Sequence, residues 1–211
     1  CALPILKNEF TARSLGSLFS KTNSLYLLRK LVAMSVYQTM TSFGAHFFNR
    51  AFLFKHGFNL SPMYRRSCGR VMTVSEDLHR IEVKLSLSYK NRNYVNTIFG
   101  GSLFASVDPF PMVQLINIIG DDYVVWDKSA EIRFLRPGKG TLRAEFVYTP
   151  DEIESIITEV VAKNEIEVVK TTQLIDEQTK TVCCEVHKTI YIANKAFFKA
   201  KRAKRAANKN Q

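Results

Sequence analysis

The stretch NYVNTIFGGSLFASVD, residues 93–108, decides the fold, because it runs from a polar loop through a Gly-Gly pair into an apolar helical pattern. Gly100 and Gly101 let the backbone approach a ligand closely, where a Cβ would be in the way. The first N–H groups of the following helix have no partner within the helix and can bind a negative oxygen. Asp108 lies two helical turns after Gly101 on the same face, and it is the only acid in residues 83–120. A lone carboxylate at the end of an apolar run indicates a specific role.

The segments around this stretch predict an antiparallel sheet wrapped around the helix, which makes the chain an α+β protein. Alternating apolar and polar residues or short apolar runs predict strands at 71–74, 80–88, 126–135, 141–148, 166–175 and 181–192. The central helix runs from Gly101 to about residue 119 and is predicted to bend at Pro109 and Pro111, because an interior proline breaks helical hydrogen bonding. Thr149 and Pro150 begin a second helix as its N-cap and first residue. Residues 136–140, rich in glycine and proline, predict a hairpin turn between two strands.

Charge is distributed unevenly along the 211 residues, whose net charge is +11. Residues 1–75 carry ten Lys/Arg and one acid, residues 76–192 carry thirteen Lys/Arg and eighteen acids, and residues 193–211 carry seven Lys/Arg and no acid. We therefore expect a basic, mainly helical N-terminal extension at 1–60, a domain at 61–192, and a basic C-terminal tail at 193–211. Basic ends of this kind are typical of chains that bind RNA, an anionic membrane or an acidic surface of other subunits.

The N-terminal extension shows a helical pattern from Leu25 to about Phe54, interpreted as one or two amphipathic helices. The uncharged segment between Lys30 and Arg50 is near the length of a membrane span, which leaves a transmembrane helix as the alternative. The opening residues contain Arg and Ser and resemble the remnant of an organellar import region, with a basic solvated arm as the alternative. This favours a mitochondrial location, in the matrix or at the inner membrane.

Familiar catalytic and metal-binding motifs are not found in the sequence. There is no nucleophile elbow, phosphate-binding loop or dinucleotide fingerprint, and neither the four cysteines nor the four histidines have metal-ligand spacing. We expect no metal and no cofactor. The cysteine pattern indicates a reducing compartment rather than a disulfide framework.

Several motifs together resemble a known family. Asn93, the glycine pair and Asp108 have the spacing found in hotdog-fold thioesterases related to the phenylacetate-degradation enzyme. A wider set of motifs, in chain order, is similar to the hotdog family known as domain of unknown function 4442: Asn91-Arg-Asn-Tyr94, Phe99-Gly-Gly-Ser-Leu103, Asp108-Pro109, Trp126-Asp-Lys128 and Arg133-Phe-Leu-Arg-Pro-Gly138. The resemblance covers about residues 24–193 and implies the hotdog fold.

The resemblance also implies a site that is shared by two subunits of a homodimer or of a dimer with a hotdog-like partner. Gly101 N–H would bind the oxyanion of an acyl-CoA thioester, Asp108 would act as base or nucleophile, and Asn93 would position the substrate. Phe99, Gly100 and Phe104 would contact the substrate. A carboxylate packed against apolar rings is also a better base near neutral pH.

Phe99 departs from the catalytically better-known relatives, which carry His there, and Pro111 adds a second proline after Asp108. The alternative is that the glycines allow close helix packing and that Asp108 caps the second helical half. Two functions follow from these readings. One is an accessory or scaffold subunit of a larger mitochondrial assembly, a respiratory complex or a ribosome, with reduced or no activity. The other is an active acyl-CoA thioesterase.

Overall fold

The computed structural model describes residues 49–209, which form a six-stranded antiparallel sheet and six helices. The helices are α1 (Arg50–Leu60), α2 (Pro62–Arg66), α3 (Gly100–Val107), α4 (Phe110–Ile119), α5 (Pro150–Lys163) and α6 (Lys195–Lys209). The strands are β1 (Gly69–Val74), β2 (Arg80–Ser86), β3 (Tyr123–Phe134), β4 (Thr141–Val147), β5 (Glu165–Asp176) and β6 (Val182–Asn194). Their order in the sheet is β1-β2-β4-β5-β6-β3, so β1 and β3 are the edges. The predicted α+β class is confirmed.

The core lies between the sheet and the helices α4 and α5, which pack on one of its faces. Leu115 of α4 and Val160 of α5 are fully buried against Ile190 and Ile192 of β6. Helix α5 begins as predicted, because the Thr149 side chain accepts a hydrogen bond from the Glu152 N–H. Burial of this apolar stripe, rather than helix propensity, therefore holds both helices in place.

The central helix is broken in two at Asp108 and Pro109, as the prolines predicted. Carbonyl groups near the break are bound by buried tyrosines. Tyr64 donates its hydroxyl to Ser106 O and Tyr148 donates to Pro111 O, both at 3.0 Å. Because a buried carbonyl without a partner is costly, these two tyrosines make the break tolerable.

Helix α1 contributes to the core of the domain, although the sequence placed residues 50–60 in the N-terminal extension. Phe54 and Phe58 are buried and lie beside the Phe110 ring of α4, with ring centroids 6.3 and 4.8 Å away. Asn59 bonds both backbone polar groups of Val71 in β1, at 2.9 Å each. The globular unit therefore includes this helix.

The predicted hairpin at residues 136–140 is wrong. Strand β3 pairs with β6, whereas β4 lies between β2 and β5, so two strands, β5 and β6, lie between β4 and β3. Residues 135–140 form an irregular connection with bends at Arg136 and Gly140, since local turn chemistry does not select the pairing partner. The connection instead runs beside the loop before α3, where Ile98 N–H donates to Gly138 O at 2.9 Å.

The predicted helices before residue 49, and the alternative of a membrane span between Lys30 and Arg50, lie outside the described residues. Within the described part, Gly100–Ile119 is long and apolar enough to cross a membrane by length and composition alone. In the structure this stretch is the core helix of the domain, with Leu103, Val107 and Leu115 buried.

Candidate active site

The loop before α3 is held by two asparagine side chains. Asn91 is buried; its amide oxygen accepts from the Ser88 N–H at 2.7 Å, and its amide nitrogen donates to Ser86 O at 3.0 Å. The amide oxygen of Asn93 accepts from the backbone N–H groups of Val95 and Thr97, at 3.1 and 3.0 Å. The loop is thus fixed by side chain to backbone bonds of the kind that asparagine forms in turns.

Asn93, the predicted positioning residue, also donates its amide nitrogen to Thr97 Oγ1 at 2.8 Å. Its side-chain groups are therefore already used within the loop. Any effect of Asn93 on a substrate would come from the shape of the loop as well as from direct contact.

Helix α3 begins with two backbone N–H groups that are free of protein partners. Ser102 N and Leu103 N both donate to Phe99 O, and within residues 49–209 no acceptor lies within bonding distance of Gly100 N or Gly101 N. The helix dipole adds partial positive charge at this end. A developing oxyanion could be bound here.

Each glycine lies close to an aromatic ring. A Cβ at Gly101 would lie 2.3 Å from Cε1 of Phe99, and a Cβ at Gly100 would lie 3.0 Å from Cζ of Phe134. The Phe99 ring is 56% exposed, so it lies next to Gly101 without being locked in the core.

A cavity of about 370 Å³ opens beside the start of α3. Its lining includes Asn93, Gly100, Leu103, Phe134, Leu135 and Pro137. The volume is in the range of small-molecule sites. The structure therefore brings Asn93 and Gly100 together at one cavity, whereas Phe99, Gly101, Phe104 and Asp108 do not line it.

Asp108 lies at the C-terminal end of α3, where it is bound by a buried lysine. Lys188 Nζ donates to Asp108 Oδ1 at 2.6 Å, to Asp108 O, and to Asp127 Oδ2 at 2.7 Å. The Lys188 side chain is 3% exposed, while those of Asp108 and Asp127 are 42% and 29% exposed. Asp108 is not desolvated as the sequence predicted, because its side chain is 42% exposed and is paired with the Lys188 ammonium group.

The two carboxylates differ in their surroundings. Burial raises the pKa of Asp127 above its usual value, although the hydrogen bond from Lys188 acts in the opposite direction. One oxygen of Asp108 is bound by Lys188, and the other has no partner within residues 49–209. Asp108 is thus a fixed carboxylate with one oxygen free to act on a ligand or a water molecule.

Lys188 and Asp127 were not identified as site residues from the sequence. Lys188 occupies an inward position of β6 between Val186 and Ile190, both buried. The sequence signal that could have identified this pair is the single lysine among the inward apolar positions of β6, since a buried lysine needs a carboxylate partner.

Gly101 and Asp108 belong to one helix but face different surroundings. Seven residues of helix separate them by about 10 Å. Gly101 lies next to the start of the cavity, whereas Asp108 meets the inner face of β3 and β6. The glycine end and Asp108 therefore lie in different surroundings within one chain. Within residues 49–209 no group of three or more His, Cys, Asp or Glu side chains could hold a metal ion.

The antiparallel sheet and the broken central helix packed on it are those of a hotdog-fold protein. The sequence profile of the family described as Domain of unknown function (DUF4442) matches residues 50–192. The chain belongs to this family, and the resemblance seen in the sequence is confirmed.

Solved structures from bacteria share the fold at low sequence identity. PA5026 of Pseudomonas aeruginosa, described as a protein of unknown function and "probable thioesterase", is 23% identical, with a TM-score of 0.60 over 68% of this chain and 95% of its own. OLEI01261 of Chlorobaculum tepidum, of unknown function, is 14% identical, with a TM-score of 0.54 over 66% of this chain and 91% of its own. The thioesterase HI1161 of Haemophilus influenzae is 12% identical, with a TM-score of 0.50 over 68% and 90%. No curated protein sequence matches the chain significantly.

Proposed function

We propose that this protein is a dimeric hotdog hydrolase that acts on acyl-CoA thioesters. The observation that carries the proposal is the pair of free N–H groups at Gly100 and Gly101, next to a cavity that Asn93 and Gly100 line. This is the arrangement that acyl transfer needs, because the thioester carbonyl oxygen becomes negative in the transition state.

In the proposed reaction, a water molecule attacks the carbonyl carbon and the oxyanion is bound by the Gly101 N–H. A backbone donor of this kind lowers the activation free energy by about 3 kcal/mol. Asp108 takes the proton from water and returns it to the departing CoA thiolate. The oxygen of Asp108 that Lys188 leaves free is the one available for this proton transfer.

A dimer is needed because the glycine end and Asp108 are separate half-sites within one chain. Strand β3 is an edge of the sheet, twelve residues long, and pairs only with β6 in the described part of the chain. A free edge of this length can pair with the same strand of a second copy related by a two-fold axis. In the proposed dimer, Asp108 of the partner subunit completes the cavity at Gly100.

The proposal is tested by measuring free-thiol release from a panel of short, long and aromatic acyl-CoA substrates. Asp108→Asn keeps the shape and removes the base, so turnover should fall by about 10²–10⁴-fold. Asp151→Asn, an exposed acid on α5, is the matched control and should keep full activity. Turnover that is equal in the two variants would contradict the role of Asp108.

The alternative is an accessory subunit of a larger mitochondrial assembly, and α6 is the observation that favours it. This helix contains seven Lys/Arg and no acid. Lys199 and Lys204 are exposed and make no ion pair within residues 49–209. Sedimentation of a native mitochondrial extract at low and high salt tests this role, since contacts with phosphate-rich partners weaken steeply with salt. A free dimer at low salt argues against it; release by nuclease indicates RNA, and release only by detergent indicates a membrane complex.

A further inference from the structure

A second cavity, of about 710 Å³, lies between the sheet and α6 and is about twice the size of the one at Gly100. Strands β3, β5 and β6 form its floor, and α6 forms one wall. Its volume is in the range that holds a nucleotide or a ligand of similar size. Because α6 begins at Lys195, this wall lies beyond the family domain at residues 50–192.

Helix α6 is fixed on the sheet by charged and aromatic contacts. Lys201 Nζ bonds both carboxylate oxygens of Glu165, at 2.5 and 2.6 Å. Phe198 packs beside Tyr191 with ring centroids 6.3 Å apart. The cavity wall is therefore a docked helix rather than a loose tail.

The acids that line the cavity are already paired. Glu165 bonds Lys201 and also accepts from the Tyr191 hydroxyl at 2.5 Å. Glu167 pairs with Lys128, and Asp127 pairs with Lys188.

Two arginines of the cavity lining have no direct bonding partner in the described part of the chain, although the hydrogen bond from Lys201 and, to a smaller extent, the charge of Arg205 lower the pKa of Glu165. Arg202 and Arg205 make no hydrogen bond or ion pair to any of residues 49–209. Guanidinium groups bind phosphate oxygens in bidentate geometry, which makes paired arginines well suited to a phosphate group.

The same cavity is also lined by aromatic side chains. Trp126 on β3 is 57% exposed and is the cross-strand partner of Tyr191 on β6. Burial, together with the bond to Glu165, raises the pKa of Tyr191 to about 12, so its phenol stays neutral. An exposed indole is a good platform for stacking a planar base.

We infer that this cavity binds a nucleotide, whose base stacks on Trp126 and whose phosphates are bound by Arg202 and Arg205. The ligand can be a free nucleotide or the nucleotide part of CoA, since both present a base and a diphosphate. Binding here does not require hydrolysis at Gly100, so the two proposals can fail separately.

Trp126 is the only tryptophan of the chain, so its fluorescence reports directly on this cavity. The full-length protein is titrated with ADP, CoA and pyrophosphate. We expect saturable quenching by ADP or CoA, with half-saturation below about 1 mM. Arg202→Gln with Arg205→Gln should weaken binding by at least about tenfold. The control, Lys199→Gln with Lys204→Gln, makes the same charge change on the same helix outside the cavity lining and should bind normally.

Equilibrium dialysis with labelled ADP and labelled CoA compares the native protein with Trp126→Ala without using fluorescence. We expect the affinity of Trp126→Ala for the ligand that binds to be at least about tenfold lower. Quenching by CoA alone identifies the CoA source and still supports the inference. Pyrophosphate binding as tightly as ADP would show that the base is not recognised and would overturn it. If the native protein binds single-stranded RNA far more tightly than ADP, and both double variants of α6 lose RNA binding to the same extent, the surface binds RNA and the nucleotide inference is overturned. Absence of saturable binding in both assays would also overturn it.

Discussion

At the scale of single residues, Lys188 fixes the position of Asp108 by a hydrogen-bonded ion pair. It lies 80 residues further along the chain, and it joins Asp108 at the helix break to Asp127 on β3. The sequence indicated that Asp108 was unusual, because a lone acid in an apolar stretch is recognisable locally. Its partner could not be predicted, because strand pairing and not spacing brings β6 beneath the helix.

The first prediction concerns Lys188→Met, which keeps the length of the side chain and removes its charge. Asp108 and Asp127 would then lose their shared counter-ion, and the variant should lose about 2–3 kcal/mol of unfolding free energy in urea denaturation. This is less than for a fully buried pair, because both carboxylates can be partly hydrated. Lys163→Met removes an exposed pair with Glu159 and should have a much smaller effect. Equal losses in the two variants would contradict the account of Lys188.

The second prediction concerns pH. Because burial raises the pKa of Asp127, the folded state holds its proton more tightly than the unfolded state. The stability that this group contributes is complete below the unfolded pKa of about 3.9 and is lost as the pH rises through the higher folded pKa. The unfolding free energy of the native protein relative to Asp127→Asn should therefore fall as the pH is raised from about 4.

Asp77 supplies a control of opposite sign. The hydrogen bond from Ser75 lowers the pKa of Asp77, so its contribution is present above the unfolded pKa and is lost as the pH falls. The stability of the native protein relative to Asp77→Asn should thus rise as the pH is raised through the lowered folded pKa to the unfolded pKa of about 3.9, and level off above it. Slopes of the same sign in the two series would show that Asp127 does not have the burial that the structure gives it.

At the scale of secondary-structure elements, the break in the central helix was predictable and the connection after β3 was not. Pro109 and Pro111 predict the break directly from the sequence, since neither has a backbone N–H to donate. Residues 136–140 indicate a turn equally clearly, but which strands pair depends on burial across the whole sheet. The third prediction tests how the break is accommodated.

Tyr148→Phe removes only the hydroxyl that donates to Pro111 O. The carbonyl is left unpaired in the core, so the variant should lose about 1–2 kcal/mol of unfolding free energy. Tyr89→Phe is the matched control, because Tyr89 is 85% exposed and should tolerate the change. If Tyr148→Phe is as stable as the native protein, the carbonyls at the break must be satisfied in another way.

At the scale of the whole molecule, our proposal is that a dimer brings the glycine end of one subunit to Asp108 of the other. The resemblance to hotdog thioesterases implied that Gly101, Asp108 and Asn93 form one site shared by two subunits. The structure places Asn93 with Gly100 at the cavity and Asp108 with Lys188 on the inner face of β3 and β6. Spacing along a helix reports which residues share a face, but not which subunit completes the site.

The central claim is that Asp108 of one subunit acts at the glycine end of the other, and subunit mixing tests it. One parent is Asp108→Asn. The other is Gly101→Pro in a Phe99→Ala background, which removes the N–H in the first helical turn, where proline is tolerated, and the ring that a Cβ would meet. Phe99→Ala alone should remain active, and each parent should be inactive.

The measurement is thiol release from acyl-CoA after the two inactive parents are unfolded and refolded together, with mixed dimers confirmed by native mass spectrometry. Half of the randomly formed dimers are mixed, and each mixed dimer has one of its two sites intact. The account predicts recovery of about a quarter of the native activity. Mixed dimers that form but release no thiol, while the native dimer is active, would contradict it.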